Sequence, residues 1–219
     1  MSLLLNLVLA ATATTTAPTT LPTTLPATTM ANKLAANKLA AGHYQLVLEM
    51  KLVTHIPLIG GQRAFARSVS AIAINDDGMV TQTNCLIVTT GGGYRVMATP
   101  LALRALPQQR YRFVVDDHDG VTADLGPIAF GYEDDDHDGD VGVAMDLKID
   151  ALGTFVIQVE SSGHTRLVGV RRGDVVTGTA LVVRSHQRIV SGLPIIVEGT
   201  GLVEEARFTL TPVSTAGCS

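Results

Sequence analysis

The alternation of apolar and polar side chains from residue 43 onward is the strongest constraint on what this chain can fold into. In residues 44–52 every second residue is apolar, and polar residues occupy most of the positions between. A period of two sends successive side chains to opposite faces of a strand, so one face can be buried while the other meets water. Similar segments continue to residue 213, separated by turns such as Asn75-Asp76-Asp77-Gly78 and Gly91-Gly92-Gly93. The chain is therefore predicted to be all-β.

About ten short strands are predicted, and the tight turns between them favour antiparallel pairing. Closing such a sheet on itself removes its exposed edges, which would otherwise pair with other chains. We therefore predict an antiparallel up-and-down β-barrel over residues 42–214, with a β-sandwich as the alternative. Thr99-Pro100 predicts the start of one short helix, residues 101–106, because Thr caps helix N-termini and Pro suits the first helical position. This helix is expected to plug one end of the barrel.

Two local features qualify the strand pattern. In the second strand the apolar positions change from odd (Phe65, Val69) to even (Ile72, Ile74), which predicts a bulge. Ser161-Ser162-Gly163 predicts a turn between a strand at 155–159 and another at 165–170.

The ends of the chain differ in composition from the rest. The apolar run at residues 3–11 precedes an Ala-Thr-Ala site, a pattern typical of a secretory signal peptide, which we place at residues 1–13. The run is too short to be a transmembrane segment, which needs about 20 residues. Residues 14–41, rich in Thr and Pro and ending in two NKLAA repeats, are predicted to be a linker, and residues 215–219 a tail. The protein is thus expected to be secreted, periplasmic or on the cell surface.

Composition argues against several classes of function. Aromatic residues make up 4% of the chain and Trp is absent, so a carbohydrate-binding face of stacked rings is not expected. The net charge is -4 without a basic patch, which predicts no binding of nucleic acid. Cys85 and Cys218 have no CxxC spacing, so a thiolate zinc site is excluded. The sequence leaves open whether these cysteines form a disulfide, as an oxidising compartment allows, or stay unpaired.

Acidic residues are concentrated in one segment. Between Arg112 and Lys148 there is no Lys or Arg, yet eleven of the twenty acidic residues lie there, mainly in two clusters, residues 116–120 (DDHDG) and 134–140 (DDDHDGD). Crowded negative charge repels itself and needs a cation, a basic partner or exposure to water.

The second cluster has the spacing of a calcium loop, D-x-D-x-D-G. Its candidate ligands are Asp134, Asp136, Asp138 and Asp140, because oxygens at positions one, three and five converge on one hard cation and Gly at position six permits a sharp turn. Position twelve is Met145 instead of Glu, and no helix is predicted on either side. The pattern indicates a calcium loop of the kind found outside EF-hands, with a solvated acidic turn as the alternative.

The first cluster is an incomplete copy of the second. Asp117 and Asp119 are its candidate calcium ligands, with Asp116 and Asp124 near enough in sequence to share an ion, and the two loops are free to lie side by side at one end of the barrel. His118 and His137 occupy matching places in the two clusters, so a transition metal bound by imidazole and carboxylate is a further interpretation.

No catalytic residues are identified by motif. The sequence lacks G-x-S-x-G, and no Lys follows Gly91-Gly92-Gly93 as it would in a phosphate-binding loop. Adjacent Ser185 and His186 do not by themselves place a hydroxyl against an imidazole.

The segments DDDHDGDVGVAMDLKI, GTFVIQVE, TRLVGV and VVTGTALVV, within residues 134–213, resemble a group of uncharacterised secreted bacterial β-domain proteins with an acidic loop. This resemblance implies an exported domain and no known activity. The predicted barrel is also similar in outline to the calycins.

These observations favour an exported, non-enzymatic β-barrel with calcium-stabilised acidic loops, acting as a structural module or binding a small apolar ligand or a protein partner. Two alternatives remain: a small barrel isomerase or cyclase acting on an apolar substrate, and an extracellular assembly subunit. The sequence does not predict an oligomeric state.

Overall fold

A computed structural model describes residues 38–56, 60–150, 152–192, 197–199, 201–215 and 217–218. The predicted signal peptide lies outside these residues, as does the predicted linker up to residue 37. The described chain is all-β with one short helix, as predicted. No helix in these ranges has the length and apolar character needed to cross a bilayer.

The elements begin where the alternating pattern begins. Their order is β1 (Gly42–Ile56), β2 (Gly60–Ile74), β3 (Met79–Gly91), β4 (Tyr94–Ala98), α1 (Pro100–Ala105), β5 (Gln109–Val115), β6 (Gly120–Phe130), β7 (Val143–Ile149), β8 (Gly153–Arg172), β9 (Val175–Ser191), β10 (Val197–Gly199) and β11 (Gly201–Pro212).

The strands form one antiparallel sheet that closes into a ring. One part of the ring runs β8–β9–β11–β1–β2–β3. Between β3 and β8 the sheet divides into two limbs, and we call this division the fork. In one limb β3 pairs with β4, β4 with β7 and β7 with β8. In the other limb β3 pairs with β5, β5 with β6 and β6 with β8. The closed ring confirms the predicted fold class, and the fork distinguishes it from a regular up-and-down barrel.

The interior is filled mainly by aliphatic side chains, which fits the aromatic content of 4%. Fully buried examples come from every side of the ring: Leu52, Ile72, Val80, Val143, Ile157, Leu167, Val176 and Leu210.

The turn predicted at Ser161-Ser162-Gly163 is wrong, because these residues lie inside β8. This strand runs unbroken through 20 residues. Its first part pairs with β7 and its second with β6, while β9 pairs along the other edge across the join, from Gln158 to Arg172. Hydrogen bonding to β9 holds the segment extended despite its turn-forming residues.

The predicted bulge in β2 lies instead in its partner strand. The even-numbered residues of β2 face the core both before and after the position of the predicted bulge, and Phe65 is 40% exposed. The irregularity is in β3, where Val69 pairs with Leu86 but Ser70 pairs with Asn84, so Cys85 is the extra residue.

Helix α1 forms for the local reason that the sequence predicts. Thr99 Oγ1 accepts a hydrogen bond from the Ala102 amide at 3.1 Å, and Pro100 is the first helical residue. The helix packs against β3 and β7, on one side of the fork.

Cys85 and Cys218 form a disulfide. The question that the sequence leaves open is thereby answered, and the C-terminal tail is tied to the bulge of β3.

Candidate metal site in the acidic loop

The acidic loop, residues 131–142, connects β6 to β7 and lies tightly against β8. Gly131 and Gly142, at its two ends, both have positive φ. A Cβ on Gly131 would lie 2.1 Å from the Val159 carbonyl oxygen, and one on Gly142 would lie 2.5 Å from Gln158 Cβ. Only glycine permits this close approach of loop to strand.

The loop covers the outer face of the ring. Val143 and Val159 are paired neighbours that point into the core, so Ala144 and Gln158, one position further along each strand, point outward. Both outward residues are nevertheless buried, and both contact aspartates of the acidic loop.

Three of the predicted ligands come together in this loop. Asp134, Asp136 and Asp138 each offer a carboxylate oxygen, and these oxygens all lie within 4.8 Å of one another. The cluster could hold a metal ion.

Backbone amides of the loop hold two of these carboxylates in place. Asp134 accepts hydrogen bonds from the amides of Asp138 and Gly139, both at 3.1 Å. Asp138 Oδ1 accepts one from the Asp140 amide at 2.9 Å. The chain can fold back on Asp134 because His137 and Gly139 take positive φ. Hydrogen bonds from the backbone amides of the loop to its short aspartate side chains thus form the turn that the D-x-D-x-D-G spacing predicts.

Asp136 is the most informative member of the cluster, because it is a carboxylate only 4% exposed. Its Oδ2 accepts a hydrogen bond from the Ala144 amide at 2.8 Å. Its Oδ1 is buried and has no hydrogen-bond partner within the described part of the chain. A buried, unsatisfied carboxylate oxygen is costly, and a bound cation would remove that cost.

Gln158 is a site residue that sequence reasoning missed. It is 3% exposed, and its Nε2 donates a hydrogen bond to Asp138 Oδ2 at 2.6 Å. Its Oε1 is also buried without a hydrogen-bond partner among the described residues. No sequence signal marks Gln158, since it reaches the acidic loop only through the pairing of β7 with β8.

The remaining positions of the calcium pattern do not join the cluster. Asp140 and His137 are exposed and lie outside the group of three. Met145, at position twelve, is buried in the core, and Asp146 is part of β7, paired with Met97 and Val156.

The first acidic cluster forms the β5–β6 hairpin turn, and its carboxylates have partners of other kinds. Asp116 Oδ1 accepts hydrogen bonds from the amides of His118 and Gly120, both at 2.8 Å, and these bonds lower the pKa of Asp116. Asp119 is paired with Arg171, whose Nε lies 2.9 Å from Asp119 Oδ1.

The structure does not bring Asp117 and Asp119 into the group of three. The first cluster precedes β6 and the acidic loop follows it, so the two lie at opposite ends of an 11-residue strand and not side by side.

Asp124, which lies in β6, has side-chain partners of its own in β8. His164 Nε2 lies 2.5 Å from its Oδ1 and Arg166 Nε lies 2.8 Å from its Oδ2. The hydrogen bond from His164 is the main reason that the pKa of Asp124 falls from 3.8 to about 2, helped by the Gly126 amide and Arg166. A cation shared with Asp116 is therefore not needed to balance this charge.

The chain matches no protein-family model, and comparisons with curated proteins and with solved structures found no significant match. The resemblance to secreted bacterial β-domains and to calycins therefore remains an expectation from the sequence.

Proposed function

We propose that this protein is an exported, non-enzymatic β-barrel whose acidic loop binds one calcium ion. The ion fastens the loop to β8, and the stabilised barrel serves as a binding or structural module. The observation that carries the proposal is the buried Oδ1 of Asp136, which has no hydrogen-bond partner among the described residues and lies in a cluster of three carboxylates.

The donor set favours calcium over other cations. The cluster offers carboxylate oxygens, with the amide of Gln158 beside it, and oxygen is the ligand that hard cations prefer. Three carboxylates in one loop also favour calcium over magnesium, because calcium takes six to eight oxygen ligands in flexible geometry, whereas magnesium usually keeps several waters and is held by one or two carboxylates.

Export is supported by the disulfide. Disulfides persist in oxidising compartments and are rare in the cytosol, so the Cys85–Cys218 bond fits a secreted, periplasmic or surface location. Calcium loops of extracellular modules bind with dissociation constants of about 10⁻⁴–10⁻³ M, and we expect this range here.

The test is a titration of the ¹⁵N-labelled full chain with calcium chloride, followed by NMR. We expect saturable shifts of the Ala144 amide and the Gln158 side-chain amide, because both groups hydrogen-bond to the cluster. Asp136→Asn should weaken calcium binding at least about tenfold. Asp117→Asn is the matched control, since it removes the same charge from the first cluster, and it should bind calcium as the parent does.

If the two substitutions weakened calcium binding equally, the proposal would be contradicted, because calcium would then be attracted to the acidic surface in general and not to one site. Equal shifts with magnesium would contradict the assignment of the ion.

A further inference from the structure

A cavity of about 160 Å³, partly open to solvent, lies at the fork of the ring. Its wall is largely apolar and includes Leu48, Ile87, Leu125 and Phe130. These side chains are only partly buried although they pack against the core. At this level of the ring, the side chains leave space between them.

A directed chain of hydrogen bonds leads to this cavity. The Tyr111 hydroxyl donates to Gln82 Oε1 at 2.8 Å, Gln82 Nε2 donates to Ser70 Oγ at 3.1 Å, and Ser70 Oγ donates to Asn84 Oδ1 at 3.1 Å. Asn84 lines the cavity, and its Oδ1 already accepts the hydrogen bond from Ser70. Its Nδ2 group is therefore the one that can donate a hydrogen bond to a ligand.

Three interruptions of the strand register surround the same cavity. Asn84 adjoins the bulge of β3, Leu125 and Gly126 lie in the irregularity between β6 and β8, and Thr165 adjoins the irregularity between β8 and β9. All four residues line the cavity. Bulges redirect side chains and are enriched beside binding sites, and here they occur in three separate strand pairs around one space.

The charges around the cavity restrict what it can hold. Arg67 is the only ionisable side chain among the described residues that line it. Arg67 is exposed, and its Nε lies 3.8 Å from Glu49 Oε1. A cationic ligand would find no counter-charge among the described lining residues, and an anionic one only the exposed Arg67 that already faces Glu49, so the lining favours an uncharged ligand. Without a carboxylate or imidazole in the described lining, the cavity suits binding better than acid–base catalysis.

We propose that this cavity binds a small, uncharged, mostly apolar molecule whose single hydrogen-bond acceptor is received by the Asn84 amide. Its volume is close to the 150 Å³ of an engineered apolar cavity that holds benzene, so the ligand has a ring of about six atoms and a short polar substituent. This inference goes beyond the calcium proposal and does not depend on it.

The test compares two probes of nearly the same shape, cyclohexanone and methylenecyclohexane, by NMR titration of the ¹⁵N-labelled full chain. Both should shift amides of residues that line the cavity. The ketone should bind about three- to tenfold more tightly, because only its oxygen accepts the hydrogen bond. Asn84→Leu, close in size but without a donor, should remove that preference.

Ala66→Leu is the variant that fills the cavity, since Ala66 is 1% exposed and lines it. It should abolish binding of both probes, and the smaller Ala66→Val should weaken it if the larger side chain prevents folding. Absence of shifts at cavity residues, a ketone preference that survives Asn84→Leu, or unchanged binding in the filled variants would each overturn the proposal. None of these results alters the calcium titration.

Discussion

The aspartates of this chain differ in what balances their charge. Asp119 faces Arg171, and Asp124 faces His164 and Arg166, so both have a basic side chain within hydrogen-bonding distance. Asp136 is the most deeply buried of these three, yet its hydrogen-bond partner is a backbone amide. The residue with most need of a counter-charge thus lies where three carboxylates meet.

Asp124 gives a prediction about pH. Its pKa is about 2 in the folded protein and near 3.8 when its partners are absent. Because the folded pKa is the lower one, the interaction stabilises the fold fully above about pH 4, and this contribution is lost as the pH falls toward 2. Carboxyl-carbon NMR of the folded protein should show Asp124 titrating near pH 2.

The matched variant for this titration is His164→Leu, which removes the donor that contributes most to the shift. The midpoint of Asp124 should then move up toward 3.8. A midpoint near 3.8 in the parent protein, or one that His164→Leu leaves unchanged, would contradict the hydrogen-bonding account.

Local spacing explains what could be predicted at the scale of residues. Asp134, Asp136 and Asp138 are close in sequence, and their turn is made by their own backbone, so the D-x-D-x-D-G pattern suffices to find them. The contacts of Gln158 with Asp138 and of Arg171 with Asp119 span 20 and 52 residues. These contacts depend on strand register, which the sequence pattern does not specify.

Among the elements, the acidic loop is held by close packing as well as by its carboxylates. Gly131 and Gly139 provide a matched pair, because both have positive φ but only Gly131 is pressed against β8. Gly139→Ala should cost about 1 kcal/mol of unfolding free energy for backbone strain alone. Gly131→Ala should cost about 1–3 kcal/mol more, because its Cβ would meet the Val159 carbonyl.

Urea unfolding of the two glycine variants measures this difference. Equal losses of stability would show that the loop is not packed against β8 as the structure describes.

The elements that were predicted correctly are those with local causes. Helix α1 has its cap within its own segment, so Thr99 and Pro100 were enough to place it. The sequence predicts two strands in place of β8 because Ser161-Ser162-Gly163 is a strong local turn signal. Pairing with β9 along the other edge outweighs that signal, and nothing within β8 itself reveals its partner.

For the whole molecule, the disulfide closes the chain over a separation of 133 residues. Cross-links that enclose long loops restrict the unfolded chain most, so replacing both cysteines with serine should lower stability by about 2–5 kcal/mol. The urea midpoint of the double variant, compared with that of the parent protein, measures the loss. An unchanged midpoint would show that the bond contributes little to the fold.

The closed ring follows from a general physical constraint, because the unpaired edge strands of a long antiparallel sheet would otherwise pair with other chains. The fork does not follow in this way. It arises because β3 and β8 each have room for two partners in turn, and the resulting β4–β7 and β6–β8 pairs are not neighbours in sequence. The class of fold was therefore predictable, whereas the cavity at the fork was not.

The most direct test of the central claim is a thermal melt of the full chain in EDTA and in calcium, with magnesium as the control. At about ten times the dissociation constant, calcium should add about 1.4 kcal/mol and raise Tm by about 3–6 °C. At the same calcium concentration Asp136→Asn should reduce this rise to about a third or less, and Asp117→Asn should keep it. A Tm that does not respond to calcium, or a rise that Asp136→Asn leaves undiminished, would contradict a calcium site in the acidic loop.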